Sequence, residues 1–233
     1  MLLAIAVVTA AIAAPGASAG PRVDYKQMFT TRVPGKSTGT DTRLLYKRPN
    51  DPEGKPSPVR REEFTYPAGT TYDESVVPDC TASDEAIRVF GKSACPDASW
   101  IGGGDGDTTM SGFNPGAEDP LDMDAWDDAG VQVAYGRSHD FPAIGGVARG
   151  HRKGQTIVIE LPSAPGGPPD GESALRRLHH VFPPRSAGKR ALIRTPRKCP
   201  RSGHWTFRGR FTFADGAVER DVYRMRCKRP ARK

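Results

Sequence analysis

Three consecutive residues, Ser138, His139 and Asp140, have the side chains of a hydrolytic relay, in which a base activates a hydroxyl and a carboxylate orients that base. They follow a segment with the alternation of a β-strand, and neighbours on an extended chain point to opposite sides. The three side chains therefore cannot form a relay. We predict a polar turn here and assign no catalytic residue.

Two adjacent histidines and a tripeptide similar to a phosphate-binding loop are the next candidates. His179 and His180 point to opposite faces if they lie on a strand, so they cannot chelate one metal ion unaided. Residues 35–37 match the end of a phosphate-binding loop, but position 30 is threonine where that loop requires glycine. We interpret the histidines as surface or half-buried side chains and the tripeptide as a chance match.

Carboxylates are concentrated between Asp84 and Asp128, where eleven acids accompany two bases. Oxygen ligands at this density can bind calcium. However, the pair Asp122 and Asp124 is not followed by the ligand and glycine that a helix-loop-helix calcium loop requires. We favour a solvated acidic loop that keeps the protein soluble. The calcium candidates, if a site exists, are Asp119, Asp122, Asp124, Asp127 and Asp128.

The positive charge lies in the second part of the chain. Residues 1–140 contain 13 Lys and Arg against 21 Asp and Glu, whereas residues 141–233 contain 21 against 6. A basic surface of this size attracts anionic polymers, although the same charge can instead complement the acidic part within one fold. We do not expect nucleic acid as the partner, because no helix-turn-helix, zinc-finger or RNP-like motif accompanies the charge. The predicted polyanion-binding residues are Arg208, Arg210, Arg224, Arg226, Lys228 and Arg229.

Residues 1–19 have the features of a secretory signal peptide. Residues 2–14 are apolar apart from one threonine, and small residues at 17 and 19 precede the expected cleavage point. We therefore expect a secreted protein, extracellular or associated with the cell wall, with no transmembrane segment after cleavage.

The four cysteines agree with export, because their number is even and they lack the C-x-x-C pair of a zinc or redox site. Four cysteines allow three connectivities. We predict the two local pairs, Cys80 with Cys95 and Cys199 with Cys227. On the chain-entropy model each would stabilise the fold by about 3–4 kcal/mol.

Composition and pattern divide the chain into four parts. The 26 glycines and 22 prolines in 233 residues disfavour long helices, and no apolar run beyond the N-terminus approaches the length of a membrane helix. A multi-pass membrane protein, a coiled coil and a collagen are excluded. After the signal peptide we predict a Pro-rich loop or linker over 20–62, a β-sandwich domain over 63–228 and a basic tail over 229–233.

Residues 203–227 have the clearest local pattern. From Trp205 to Phe213 aromatic residues and glycine alternate with polar residues, which indicates a strand with one apolar face. Residues 214–216 then form a hairpin turn. A three-residue loop with Gly216 in the left-handed region places Phe207 opposite Tyr223, whereas a two-residue loop would place Arg210 opposite Asp221. We prefer the first register, because it gives the aromatic residues apolar partners.

Weaker patterns place the other elements. A single helical turn is predicted at 83–89, and alternation predicts strands at 131–135 and 156–161. Residues 174–182 suit either a helix or a strand. We favour the strand, because nine residues between Pro-rich flanks are short for a helix.

Several motifs resemble those of a group of small secreted actinobacterial proteins that is uncharacterised. They are Thr195-Pro196-x-x-Cys199-Pro200-x-Ser202-Gly203-x-Trp205, Phe211-Thr212-Phe213-x-Asp215-Gly216 with Cys227, and, earlier, residues 64–70, Pro78-x-Cys80 and Ala94-Cys95-Pro96 with Ser99, Gly102 and Gly104. The resemblance covers about residues 60–230 and implies an exported β-sandwich with disulfides. It transfers no catalytic residue. The acidic stretch after Gly104 departs from the group.

The sequence therefore predicts an all-β, antiparallel β-sandwich with long Gly/Pro-rich loops and two local disulfides. For function we favour a non-enzymatic extracellular module that binds an anionic cell-wall or surface polymer or glycan. A secreted hydrolase with an unrecognised active site is the alternative. We expect no cofactor, because no cofactor-binding motif is present.

Overall fold

The computed structural model describes residues 20–51, 54–109, 118–140, 145–166 and 171–228. One α-helix, α1 (Asp84–Phe90), is accompanied by three 3₁₀ turns at Glu74–Val76, Gly91–Ala94 and Asp97–Ser99. No helix in these segments is long and apolar enough to span a membrane. The strands are β1 (Val23–Phe29), β2 (Thr40–Tyr46), β3 (Val59–Thr65), β4 (Thr71–Tyr72), β5 (Trp100–Thr109), β6 (Glu118–Asp128), β7 (Val131–Ser138), β8 (Gly145–Lys153), β9 (Thr156–Glu160), β10 (Ala174–Phe182), β11 (Ser186–Ala187), β12 (Arg190–Ala191), β13 (Ile193–Arg194), β14 (His204–Phe213) and β15 (Val218–Arg226).

Eleven strands form one antiparallel sheet in the order β1-β2-β10-β5-β6-β7-β8-β9-β3-β14-β15. The two end strands, β1 and β15, also contact each other, so the sheet is nearly closed into a barrel-like shape. The predicted all-β, antiparallel fold with two local disulfides is confirmed. The two layers of the expected sandwich are opposite walls of this one sheet.

The seam between β1 and β15 is joined by side chains. The carboxylate of Glu219 accepts hydrogen bonds from the backbone amides of Arg22, at 2.8 Å, and Val23, at 3.3 Å. Asp221 accepts from the amide of Tyr25 at 3.3 Å. Exposed strand edges carry unpaired amides that can pair with other chains. Here acidic side chains accept hydrogen bonds from the edge amides of β1, which a neighbouring strand would otherwise accept.

The hairpin β14–β15 has the predicted register. Trp205 is opposite Met225 and Phe207 opposite Tyr223, and Gly216 has the left-handed φ of 80° that the three-residue loop requires. The alternative with Arg210 opposite Asp221 is wrong. Because side chains alternate along a strand, the aromatic residues of β14 all point into the barrel-like sheet.

Aromatic side chains fill one half of the interior. Phe29 of β1 lies 4.9 Å from Phe207 and 5.3 Å from Trp205, measured between ring centroids, with the rings edge to face. Tyr46 of β2 contacts Phe211 and Phe213 in the same way. Edge-to-face pairs of this kind are favourable beyond the area they bury. This packing joins β14 to the first two strands.

A second cluster lies outside the sheet. Ile87 of α1 packs with Trp126, Val133 and Val147, which point outward from β6, β7 and β8. The helix begins as predicted, with Ser83 as its N-cap accepting a hydrogen bond from the amide of Ala86. Both predicted disulfides are present. Cys80–Cys95, with a Cα–Cα distance of 5.1 Å, belongs to this cluster, and Cys199–Cys227, at 5.8 Å, ties the approach to β14 to the residue after β15.

The predicted loop or linker over 20–62 is wrong for much of its length. It contains β1, β2 and the start of β3, and its apolar residues Phe29 and Tyr46 are buried in the core. Among the described residues of this span, 20–22, 30–39, 47–51 and 54–58 lie outside the strands. In these strands single apolar residues alternate with polar ones. The prolines and glycines around them made this alternation hard to recognise in the sequence.

The acidic segment is also not a loop, because eight of its eleven acids lie on the paired strands β5 and β6. The glycines of β5 allow its backbone to approach the backbone of β10 closely. A Cβ at Gly104 would lie 1.9 Å from the carbonyl oxygen of His179, and one at Gly102 would lie 2.5 Å from that of Val181. Glycine is therefore needed here to pair β5 with β10 rather than to form a turn. The strands predicted at 131–135, 156–161 and 174–182 are confirmed as parts of β7, β9 and β10.

Candidate functional site

The outer side of the hairpin β14–β15 is rich in exposed basic residues. Its outward positions pair His204 with Arg226, Thr206 with Arg224, Arg208 with Val222 and Arg210 with Arg220. We call the set of His204, Arg208, Arg220, Arg224 and Arg226 the basic face. All five side chains are exposed.

Within the described part of the chain, the arginines of the basic face have no acidic partner. Among the described residues, no carboxylate lies within 4.0 Å of the guanidinium groups of Arg208, Arg220, Arg224 or Arg226. Elsewhere the excess of basic residues is used inside the fold. Arg149 contacts Asp84 at 2.8 Å and Asp128 at 3.1 Å, and Arg177 contacts Asp105 and Asp107. Internal complementarity therefore accounts for part of the charge asymmetry, and these four arginines of the hairpin account for another part.

The spacing of these arginines follows from the strand. Residues two apart on a strand point to the same side and lie about 7 Å from each other. Arg220, Arg224 and Arg226 therefore form a row along β15, with Arg208 beside it on β14. Two valines within the row are also partly exposed, Val218 at 41 % and Val222 at 43 %. The arginines can contact the repeated anionic groups of a polymer through charge. The valines can contact the backbone of that polymer through apolar contact.

A groove of about 760 Å³ continues the basic face at the open end of the hairpin. It is lined by Arg32, His204, Arg226 and Lys228 together with backbone around Gly203. The amide of Lys228 donates to the carbonyl of Arg32 at 2.8 Å, and the disulfide at residue 227 fixes the same segment. We call this feature the basic groove. Its cationic side chains are thus attached to a constrained backbone.

Two residues of the predicted polyanion set stand apart. Arg210 is half-buried and forms an ion pair with Glu63 on β3. Burial acts to raise the pKa of Glu63, but hydrogen bonds from Arg210 and Arg61 lower it overall. The guanidinium group of Arg210 is therefore used in an ion pair within the fold. Arg229 lies outside the described residues, whereas Arg208, Arg224, Arg226 and Lys228 lie together on or beside the basic face.

The calcium candidates are distributed over both sides of β6, because consecutive residues of a strand alternate. Asp119 is buried in the interior with Ser138, Asp122 contacts His139, Asp124 contacts Lys92 and the indole of Trp100, Asp127 accepts from the amide of Gly130, and Asp128 contacts Arg149. Within the described segments, no three acidic, histidine or cysteine side chains converge in a way that could hold a metal ion. The described part of the fold therefore provides no arrangement of ligands that supports calcium binding.

Ser138 and His139 point to opposite sides, as alternation predicts. The Ser138 hydroxyl donates to Asp119 inside the sheet at 2.7 Å. The His139 ring contacts Asp122 outside it at 2.8 Å, and both of these side chains are more than half exposed. Serine and histidine therefore do not meet, and this tripeptide forms no hydrolytic relay.

The two adjacent histidines are separated by the sheet. His180 is buried and stacks on Phe182 with centroids 4.9 Å apart, and burial lowers its pKa to about 4. His179 lies outside, 3.2 Å from Asp41. The interpretation as a surface or half-buried pair holds for His179 and is wrong for His180. The loop-like tripeptide is structural, since the amide of Lys36 donates to Thr195.

No protein-family model, curated protein or solved structure matches this chain.

Sequence reasoning missed three residues of the basic surface, namely Arg32, His204 and Arg220. Arg220 shares the two-residue period of Arg224 and Arg226, and His204 shares that of Arg208, so alternation could have included both. Arg32 lies far away in sequence, between β1 and β2. Only the hydrogen bond from Lys228 brings it to the groove.

Proposed function

We propose that this chain is an exported module that binds an anionic cell-wall or surface polymer through the basic face and the basic groove. The absence of acidic partners at four neighbouring arginines of the described hairpin carries the proposal. A fold that used its basic residues only to balance its acidic ones would pair these arginines, as it pairs Arg149 and Arg177.

Arginine suits this role. Its guanidinium group presents several N–H donors in a rigid fork that matches phosphate and carboxylate oxygens. The strand pairing of β14 with β15 and the Cys199–Cys227 disulfide hold the row of arginines in place before binding. Less conformational entropy is then lost when the polymer is bound. A polymer with repeated phosphate or carboxylate groups is the expected ligand.

Export is the second part of the proposal. It is supported by the signal-peptide pattern of residues 1–19 and by two disulfides, which form and persist in oxidising compartments. The resemblance to exported actinobacterial proteins agrees with it. Reaction of the purified protein with a thiol reagent before and after reduction would test the disulfides. Mass spectrometry of protein recovered from the culture medium would locate the first residue.

The test of polymer binding is retention of the full protein on immobilised teichoic acid at about 50 mM salt, followed by a salt gradient. We expect the variant R224Q/R226Q to elute at clearly lower salt than the wild type. The matched control is R43Q/R48Q, which removes the same charge from two exposed arginines, each with an aspartate of its own strand or turn nearby. Equal elution of the two variants would mean that net charge, not the basic face, causes retention.

A truncation after Lys228 separates the tail from the face. It removes Arg229, Arg232 and Lys233 and keeps the hydrogen bond from Lys228 to Arg32. We expect most of the retention to survive. If the truncated protein loses retention while R224Q/R226Q keeps it, the tail is the binding element and the assignment to the hairpin is wrong.

A further inference from the structure

The interior of the sheet contains a second potential site, separate from the basic face. A cavity of about 390 Å³ is lined by residues of β5, β6, β7, β8 and β10, by Val59 and Arg60 of β3 and by the segment around Pro162. It is found at the end where β5 and β7 finish and β6 begins. Cavities of roughly 300–1,000 Å³ are typical of small-molecule sites.

Small residues leave this space open. Trp126, Val133 and Val147 point outward to α1, so the alternating positions on β7 and β8 that point inward are Ala134 and Gly136, and Gly146 and Ala148. Aromatic side chains fill the opposite half of the interior, whereas each of these four positions contributes only a methyl group or a hydrogen atom. A Cβ added at Gly136 would meet only Leu121, at 3.8 Å, which is ordinary contact. Interiors are normally filled to crystal density, and the described residues do not fill this one.

The walls of the cavity are mainly apolar. Leu121 and Met123 of β6 face Leu175 and Leu178 of β10, with Leu161 near the opening. Methionine is flexible and adapts to ligands of different shape. These side chains favour a ligand with a hydrocarbon body.

One carboxylate lies at the end of the cavity. Asp119 is 3 % exposed and accepts hydrogen bonds from the hydroxyls of Ser138 at 2.7 Å and Thr108 at 3.4 Å. No cationic side chain of the described residues lies within ion-pair distance of it. A carboxylate has about four acceptor positions, so two hydroxyl donors leave capacity for another donor. A buried carboxylate without a cation is costly, and a cationic ligand group would offset that cost.

The two arginines that border the cavity do not fill this role. Arg60 forms an ion pair with Glu172, and Arg88 on α1 lies 3.8 Å from Glu85. We propose that the cavity binds a small apolar molecule that carries an amine, with the hydrocarbon body against the leucines and Met123 and the amine at Asp119.

The experiment compares octylamine, octanol and octanoate, which differ only in their polar group, against the full protein. Calorimetry measures affinity, and the ¹³C-methyl resonance of Met123 reports the place of binding. We expect octylamine to shift Met123 and not Met225, which lies in the aromatic half. We also expect it to bind about tenfold tighter than octanol, with octanoate weakest. No shift of Met123 with any of the three at about 1 mM, or equal affinity of amine and alcohol, would overturn the proposal.

Two variants and a control extend the test. Asp119→Asn keeps one oxygen that can accept from Ser138, and its amide group can donate to the Thr108 hydroxyl. We expect this variant to lower the affinity for octylamine to that for octanol. Gly136→Val fills space and should weaken both ligands. Asp51→Asn removes the same charge from an exposed side chain and should change neither. An unchanged amine preference in Asp119→Asn would contradict the proposal, and the Met123 shift in the wild type tests it without any variant.

Discussion

Glu62 is a titratable side chain inside the barrel-like sheet, and its partner is another titratable group. It points inward from β3 and accepts a hydrogen bond from the hydroxyl of Tyr46 at 2.5 Å. Burial raises the pKa of Glu62 to about 7, and the hydrogen bond from Tyr46 opposes that shift. The interior therefore favours the neutral acid.

This shift predicts a pH-dependent stability. Because the pKa of Glu62 is raised on folding from 4.5, its contribution is fully present below pH 4.5 and is lost as the pH rises through about 7. Glu62→Gln is neutral at every pH. We expect the variant to gain about 3 kcal/mol of unfolding free energy relative to the wild type on going from pH 4 to pH 8.

Urea unfolding of both proteins at the two pH values measures this difference. His180 is present in both, so its own titration cancels. A difference between the two proteins that is the same at pH 4 and pH 8 would mean that folding does not raise the pKa of Glu62.

At the scale of the elements, the seam between β1 and β15 has the least usual construction. Glu219 satisfies two backbone amides that a neighbouring strand would otherwise take. Removing an acceptor from partly buried amides typically costs about 1–3 kcal/mol. We expect Glu219→Ala to destabilise by this amount and to speed hydrogen exchange at the amides of Arg22 and Val23.

The control for the seam is Glu160→Ala, which removes an exposed carboxylate whose partner is Arg61. Exposed ion pairs of this kind contribute about 0–1 kcal/mol. Glu219→Gln keeps an acceptor oxygen and should restore part of the stability. If exchange at Arg22 and Val23 is the same in Glu219→Ala and the wild type, the carboxylate does not hold the seam.

Sequence patterns predicted those elements that carry their own periodicity. The aromatic alternation of β14 predicted the register with β15, and the helical turn predicted at 83–89 corresponds to α1. β1 and β2 were missed, because their alternation is carried by few apolar residues between prolines and glycines. β5 was missed because its glycines serve the approach of β10, which only the folded sheet reveals.

The candidate sites divide in the same way. Alternation on the hairpin predicted Arg208, Arg224 and Arg226 as one surface, since that information is local. The ion pair between Arg210 and Glu63 joins strands that are 147 residues apart, so no local pattern contains it. The cavity depends on small residues from β7 and β8 that face leucines of β10. A sheet that nearly closes is needed to bring these together.

At the scale of the whole molecule, the charge asymmetry has two parts. One part is internal, where Arg149 and Arg177 of the basic half contact aspartates of the acidic half. The other part remains on the basic face and in the basic groove. Binding through such a surface depends on the release of counterions, so affinity should fall steeply as salt increases.

The most direct measurement of the central proposal is the slope of log affinity against log salt for teichoic acid, between about 50 and 500 mM. The account predicts a steep negative slope for the wild type. In the variant R208Q/R220Q/R224Q/R226Q the slope should become shallower by about one unit for each arginine that contacts an anionic group, thus by at least about two. A wild type that does not bind at about 50 mM salt, or a variant with the wild-type slope, would contradict the assignment of polymer binding to the basic face.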